Sequence, residues 1–179
     1  MRRDRIDLIA LPHESAGFGH DGIAGGQAFE NFHPASFTDA GPDGHAVDDA
    51  AFDAHLAEDR AFARWVSRCV RAHKRPGYRS VTLSLKPHGV APGDITSEQM
   101  EAVADLADRY SFGELRVTHE QNLVLADVAL ADLYDLWQGA RAHGLATPNI
   151  GLLTDMICCP GGDFCSLANA KSIPIAQAI

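Results

Sequence analysis

Three observations predict an α+β fold, in the order strand, helix, strand, strand, helix, strand, for the middle of this chain. The stretch RSVTLSLK alternates apolar and polar positions and is rich in β-branched side chains. Two stretches with apolar residues three and four apart follow it, each closed or opened by a helix signal. Between them, two short apolar runs are separated by a polar turn.

Residues 1 to about 50 hold GFGHDGIAGGQ and TDAGPDGHAVDD, which are turn-rich and polar, so this segment reads as a loosely ordered lead-in. Its histidines, His13, His20, His33 and His45, lack the i, i+4 or Cys/His spacing of a metal site and read as solvated loop residues. From Asp48 to His73 the residues Phe52, Leu56, Phe62, Trp65, Val66, Cys69 and Val70 recur at helical spacing. One helix or two short ones are expected, with Asp59, Arg60, Arg64 and Arg68 on the wet side and Cys69 as a small buried hydrophobe. The run HKRPGY ends that helical segment, which spans 51–77.

The regular unit occupies 78–147. Arg79 to Lys86 is its first strand, with Val81, Leu83 and Leu85 on one face. Thr96-Ser97-Glu98-Gln99 has the capping-box form and opens a helix to about Tyr110, whose buried stripe is Met100, Val103, Ala104, Leu106 and Ala107. Gly113 to Thr118 and Gln121 to Ala126 are strands joined by a His-Glu turn. Leu130 to His143 is a second helix, buried through Leu133, Leu136 and Trp137 and closed by Gly144. A fourth strand is placed in Asn149 to Leu153. This βαββαβ order is the ferredoxin-like split βαβ pattern.

The last stretch, TDMICCPGGDFCSLANAKSIPIAQAI, carries three of the four cysteines in a Pro-Gly-Gly loop that is expected to run straight into a helix. Glycines let such a loop turn tightly and aim amides at bound sulfur, and a following helix would add the positive end of its dipole. Cys159 and Cys165 stand as C-x5-C, too open for a C-x2-C zinc knuckle, so an iron–sulfur cluster is the better reading. A [4Fe–4S] cluster normally takes four thiolates, and the sequence stops at Ile179 without the others.

Composition sets the remaining bounds. With 46% hydrophobic and 22% charged residues the chain suits a soluble globular domain. A net charge of −9 and only 7% aromatic residues argue against nucleic acid as a partner. No run approaches the roughly 20 apolar residues of a membrane span, and MRRDRIDLIALPHES lacks a signal-peptide core. A cytoplasmic location with reduced cysteines is expected.

Two stretches, FGELRVTHEQNLVLADV and TDMICCPGGDFCSLANAKS, resemble the nitrite/sulfite reductases that couple sirohaem to a [4Fe–4S] cluster. The first resembles the strand pair of the family's ferredoxin-like half-domain, the second its first cysteine motif. The resemblance covers roughly Phe62 to Ile179 and implies the second half-domain at 78–147, followed from 148 to 179 by the truncated start of the sirohaem and cluster-binding domain. It implies that Cys159 and Cys165 are cluster ligands and Cys158 is not. It further implies that the edge bearing Arg116, His119, Gln121 and Asn122 faces the cofactor, with Arg116, Gln121 and Asn122 as candidate contacts. Arg116 as a plain surface cation, and Gln121 and Asn122 as turn residues, is the alternative. Lys171 and Ser172 are expected within a helix and read as solvated.

For the intact enzyme the resemblance implies an oxidoreductase that reduces sulfite to sulfide or nitrite to ammonia with electrons from a donor protein or reductase subunit. The chain alone is expected to be inactive. The competing readings are a non-catalytic ferredoxin-like binding module and a metal or redox protein that completes its thiolate site by dimerising.

Overall fold

Asp59 divides the first helical stretch in two. In the computed structural model, which describes residues 50–179, α1 (Ala50–Glu58) and α2 (Arg60–Cys69) are separated by this one extended residue. Its carboxylate accepts from the amides of Ala61 at 2.8 Å and Phe62 at 3.0 Å, satisfying the first donors of α2. Asp59 is thus a cap, not a residue of a wet helix face. The 1–50 lead-in and its four histidines lie outside the described residues, except for Ala50.

Helix α2 does not run on to His73. It passes directly into β1 (Val70–Ala72), which pairs antiparallel with β2 (Tyr78–Leu83), Val70 opposite Val81. The HKRPGY run is therefore a hairpin turn, with Gly77 at φ +80° where an L side chain would be strained. Chain then crosses through a loop to α3 (Ser97–Tyr110), opened by a complete capping box. The Thr96 Oγ1 accepts from the Gln99 amide at 3.2 Å, and the Gln99 carboxamide accepts from the Thr96 amide at 3.1 Å.

The short β3 (Arg116–Val117) and β4 (Leu123–Ala129) form the second hairpin, and α4 (Leu133–Ala142) closes the unit after one 3-10 turn at Leu130–Asp132. Gly144 ends α4 at φ +72°, and the Leu145 amide returns to the Ala140 carbonyl at 2.9 Å.

The four strands make one antiparallel sheet in the order β1-β2-β4-β3. The expected strand at Asn149–Leu153 is absent: those residues form turns that lead into a 3-10 turn at Leu153–Asp155. Its place beside β2 is already filled by β1. The α+β class stands, and the fourth strand comes from the N-terminal side of the unit.

One core joins the sheet to the helices. Phe62, Trp65, Val81, Leu83, Val103, Leu125, Leu133 and Leu136 are all fully buried within it, each contributing about 1.5–3 kcal/mol of transfer free energy for an aliphatic or Phe side chain. Phe52 of α1 meets the Phe62 ring edge-on at 6.0 Å, and Phe62 lies 5.4 Å from Trp137, so the leading helices share this core. On α3 the buried stripe is Ala102, Val103, Leu106, Ala107 and Tyr110. Met100, expected inside, is 57% exposed, because it lies in the first turn, before the helix comes under its neighbours; Ala104 is half-buried.

Candidate cofactor site

The turn between β3 and β4 reaches the cysteine segment. In Thr118–Gln121 the Thr118 amide bonds the Asn122 carbonyl at 2.9 Å, and Gln121 takes φ +59°, a left-handed conformation that closes the turn. That geometry aims the Gln121 side chain at Cys158. Its Nε2 donates to the Cys158 carbonyl and its Oε1 accepts from the Cys158 amide, both at 2.9 Å. The carboxamide thereby occupies both backbone groups of one residue, as a neighbouring strand would.

Asn122, buried, has an equally fixed task. Its Oδ1 accepts from the Leu85 amide at 3.2 Å and its Nδ2 donates to Asp155 Oδ1 at 2.9 Å. Asp155 also receives Lys86 Nζ at 2.8 Å on Oδ1 and the Gly151 amide at 2.9 Å on Oδ2. The Lys86 ammonium, only 1% exposed in its side chain, further donates to the Asp155 carbonyl at 2.9 Å and to the Glu120 carbonyl. Burial alone would raise the Asp155 pKa, but hydrogen bonds from Lys86, Asn122 and the Gly151 amide, with the Lys86 charge, hold it below the ordinary carboxylate value. Asn149 completes the tie, its Nδ2 donating to the Lys86 carbonyl at 2.9 Å and the Thr154 carbonyl at 3.2 Å.

Sequence reasoning did not pick out Lys86, Asn149 or Asp155. The only available signal was a lysine directly after the alternating strand and an aspartate just before the cysteines. Neither says that the two meet 69 positions apart.

Past this anchor the loop bonds to itself. The Gly162 amide donates to the Ala170 carbonyl at 2.7 Å and the Cys165 amide to the Gly161 carbonyl at 2.9 Å. Gly161 sits at φ +59°, and a Cβ there would lie 2.8 Å from the Ala170 oxygen and the Ser172 nitrogen. Side chain and backbone together thus exclude anything larger than glycine. No helix begins at the cysteines. After the 3-10 turn Gly161–Asp163, the next element is the six-residue α5 (Ile173–Ala178). Lys171 and Ser172 precede α5, and Lys171 is exposed and paired with Asp163 at 2.8 Å.

This scaffold separates the cysteines. Cys158 is buried, its Sγ donating to the Cys159 carbonyl at 3.2 Å; Cys159 is exposed and Cys165 half-exposed. Among the described residues no three Cys, His, Asp or Glu side chains gather closely enough to hold a metal. Of the three cysteines on this segment, Cys159 and Cys165 are the two whose side chains reach solvent. Arg116 points its guanidinium at Glu114, with a third of its side chain exposed, and His119 is exposed beside Glu120 at 3.0 Å. The hydrogen-bonding groups of Gln121 and Asn122 go to the protein itself.

A sheet of four antiparallel strands under two long helices, tied by the β3–β4 turn to a cysteine loop, defines an α+β module that presents cysteines. The description "Nitrite/Sulfite reductase ferredoxin-like half domain" matches residues 73–143, so this segment of the chain is similar to that half-domain. The chain is 34% identical over 103 residues to the Mycobacterium tuberculosis protein named Sulfite reductase [ferredoxin], covering 56% of this chain and 19% of that one. It is 30% identical over 116 residues to the chloroplastic Ferredoxin–nitrite reductase of Arabidopsis thaliana, covering 63% and 19%. Against the Assimilatory ferredoxin-dependent nitrite reductase of Haloferax mediterranei it is 36% identical over 80 residues, 44% and 14% of the two chains. The chain thus spans about a fifth or less of the length of these relatives. No helix among the described residues is long and apolar enough to cross a membrane.

Proposed function

We propose that the chain supplies a ferredoxin-like half-domain and two cluster thiolates, Cys159 and Cys165, to a sirohaem- and [4Fe–4S]-dependent reductase. In the intact enzyme the reaction is the multi-electron reduction of sulfite to sulfide or of nitrite to ammonia. Electrons come from a donor protein or reductase subunit, in a reducing, cytoplasmic setting. When bound, the cluster and sirohaem supply electron transfer and the iron at which the oxyanion is reduced.

The observation that carries this reading is the opposite fate of two adjacent cysteines. Cys158 is turned inward and held by Gln121, which leaves Cys159 outward on the same loop as Cys165. Gln121 and Asn122 are positioning residues in this reading, acting on the ligands through the backbone of 155–158. Arg116 is the one of the three proposed contacts whose charge remains partly open to solvent, and it is the candidate for a sirohaem carboxylate.

In the complete reductase carrying this segment, Cys159→Ser or Cys165→Ser is expected to abolish cluster incorporation, whereas Cys158→Ser largely spares it. Iron and acid-labile sulfide content, with the visible spectrum of protein purified without air, report the result. Full iron and normal absorbance in the Cys159→Ser protein would sink the assignment.

A further inference from the structure

A second site lies where α2, α4 and the segment after α4 meet. Arg60, Arg64 and Arg141 line a cleft of about 430 Å³ together with Trp137 and Pro148, and none of its lining residues belongs to the cysteine loop. All three arginines are exposed. Among the described residues none of them makes an ion pair or a side-chain hydrogen bond, in a chain whose net charge is −9.

The placement works against stability. Arg60 is the first residue of α2, at the positive end of the helix, and no acidic residue stands in that first turn. Asp59 lies beside it, but its carboxylate accepts the Ala61 and Phe62 amides. Arg60 and Arg64 are four apart on one helix, where like charges repel. Arg141 completes the set from α4, its guanidinium held over the Trp137 ring at 5.2 Å. Because Asp59 already takes the helix-end amides, the donors left for a ligand are guanidinium forks, whose planar geometry matches oxyanions bidentately.

We propose that this cleft binds a multiply charged oxyanion, a phosphate or diphosphate group, either free or carried on an organic molecule. The bound anion offsets the mutual repulsion of the three guanidiniums. The inference does not depend on the reductase reading, and the cleft shares no lining residue with the cysteine loop.

The test titrates the 179-residue chain with sodium pyrophosphate, following tryptophan emission and melting temperature, against sodium chloride at matched ionic strength. A saturable response to pyrophosphate with none to chloride is expected. Arg64→Gln and Arg141→Gln should each weaken binding about fivefold or more, and Arg60→Gln/Arg64→Gln/Arg141→Gln should abolish the saturable response. Arg141→Lys should also weaken binding although the charge is kept, since the planar fork is lost. ADP distinguishes the sources: affinity equal to that of pyrophosphate means the free anion, and markedly tighter binding means an organic phosphate whose body rests on the Pro148 wall. A pyrophosphate response no larger than that of chloride, or wild-type affinity in the triple variant, overturns the proposal.

Discussion

The unit from Phe52 to Leu145 and the segment from Pro148 to Ile179 are built on different principles. Among the described residues, every buried apolar side chain except Cys158 lies in the first. Of the eleven exposed large hydrophobic residues among those described, seven lie between Leu152 and Ile179 in the second. The first holds its shape by burying its own surface. The second is placed by polar ties at its root, Lys86, Asn122, Asn149 and Gln121, and by the glycine contacts within its loop. Its apolar side chains are left in the open around Cys159 and Cys165.

The contrast makes predictions that can be ranked by size. Trp65→Ala, at a fully buried core position, is expected to cost about 4 kcal/mol and to loosen both regions together. Urea unfolding checks it, and a loss below about 1 kcal/mol would mean that the helices leading the unit are not part of its core. Lys86→Met strands the Asp155 carboxylate and is expected to cost about 3 kcal/mol. Here the effect should differ by region: amide exchange should accelerate at Gly151 and Cys158 far more than in β2 or β4. Uniform acceleration would show that the two regions unfold as one.

Acid probes the same tie more gently. The folded pKa of Asp155 is depressed, so its contribution is fully present above the unfolded value near 3.8 and is lost as pH falls through the folded value. Below about pH 4 the cysteine segment should detach before the sheet melts, and Asp155→Asn should remove that step. A single coincident acid transition in the wild-type protein would contradict this order. The smallest effect is expected from Thr96→Ala, about 1 kcal/mol through loss of the α3 cap, with no change in exchange at Cys158.

Local rules read well where local chemistry decides. The Thr96–Gln99 box, the Gly144 stop, the inward face Val81, Leu83 and Leu85, and the β3–β4 turn all follow from neighbours within a few residues. Two features were hidden for the same reason. Val70–Ala72 continues the helical periodicity of α2 and shows itself as a strand only against its partner Arg79–Val81. The apolar run at Asn149–Leu153 suits a strand, but the sheet edge it would join is already taken. The site followed the same division. The cysteine pattern is visible along the chain, whereas the Lys86–Asp155 tie that places it joins residues 69 positions apart.

Cys69 shows what burial does to the fourth cysteine. Its Sγ donates to the Thr147 carbonyl at 3.6 Å, and burial pushes its pKa up to about 12. At neutral pH it carries essentially no thiolate, which is the form that alkylating agents attack. The chain therefore holds an internal standard for thiol labelling. Mass-resolved alkylation of the folded protein should mark Cys159 and Cys165 while leaving Cys69 blank, and the appearance of label on Cys69 would mark the moment the core opens.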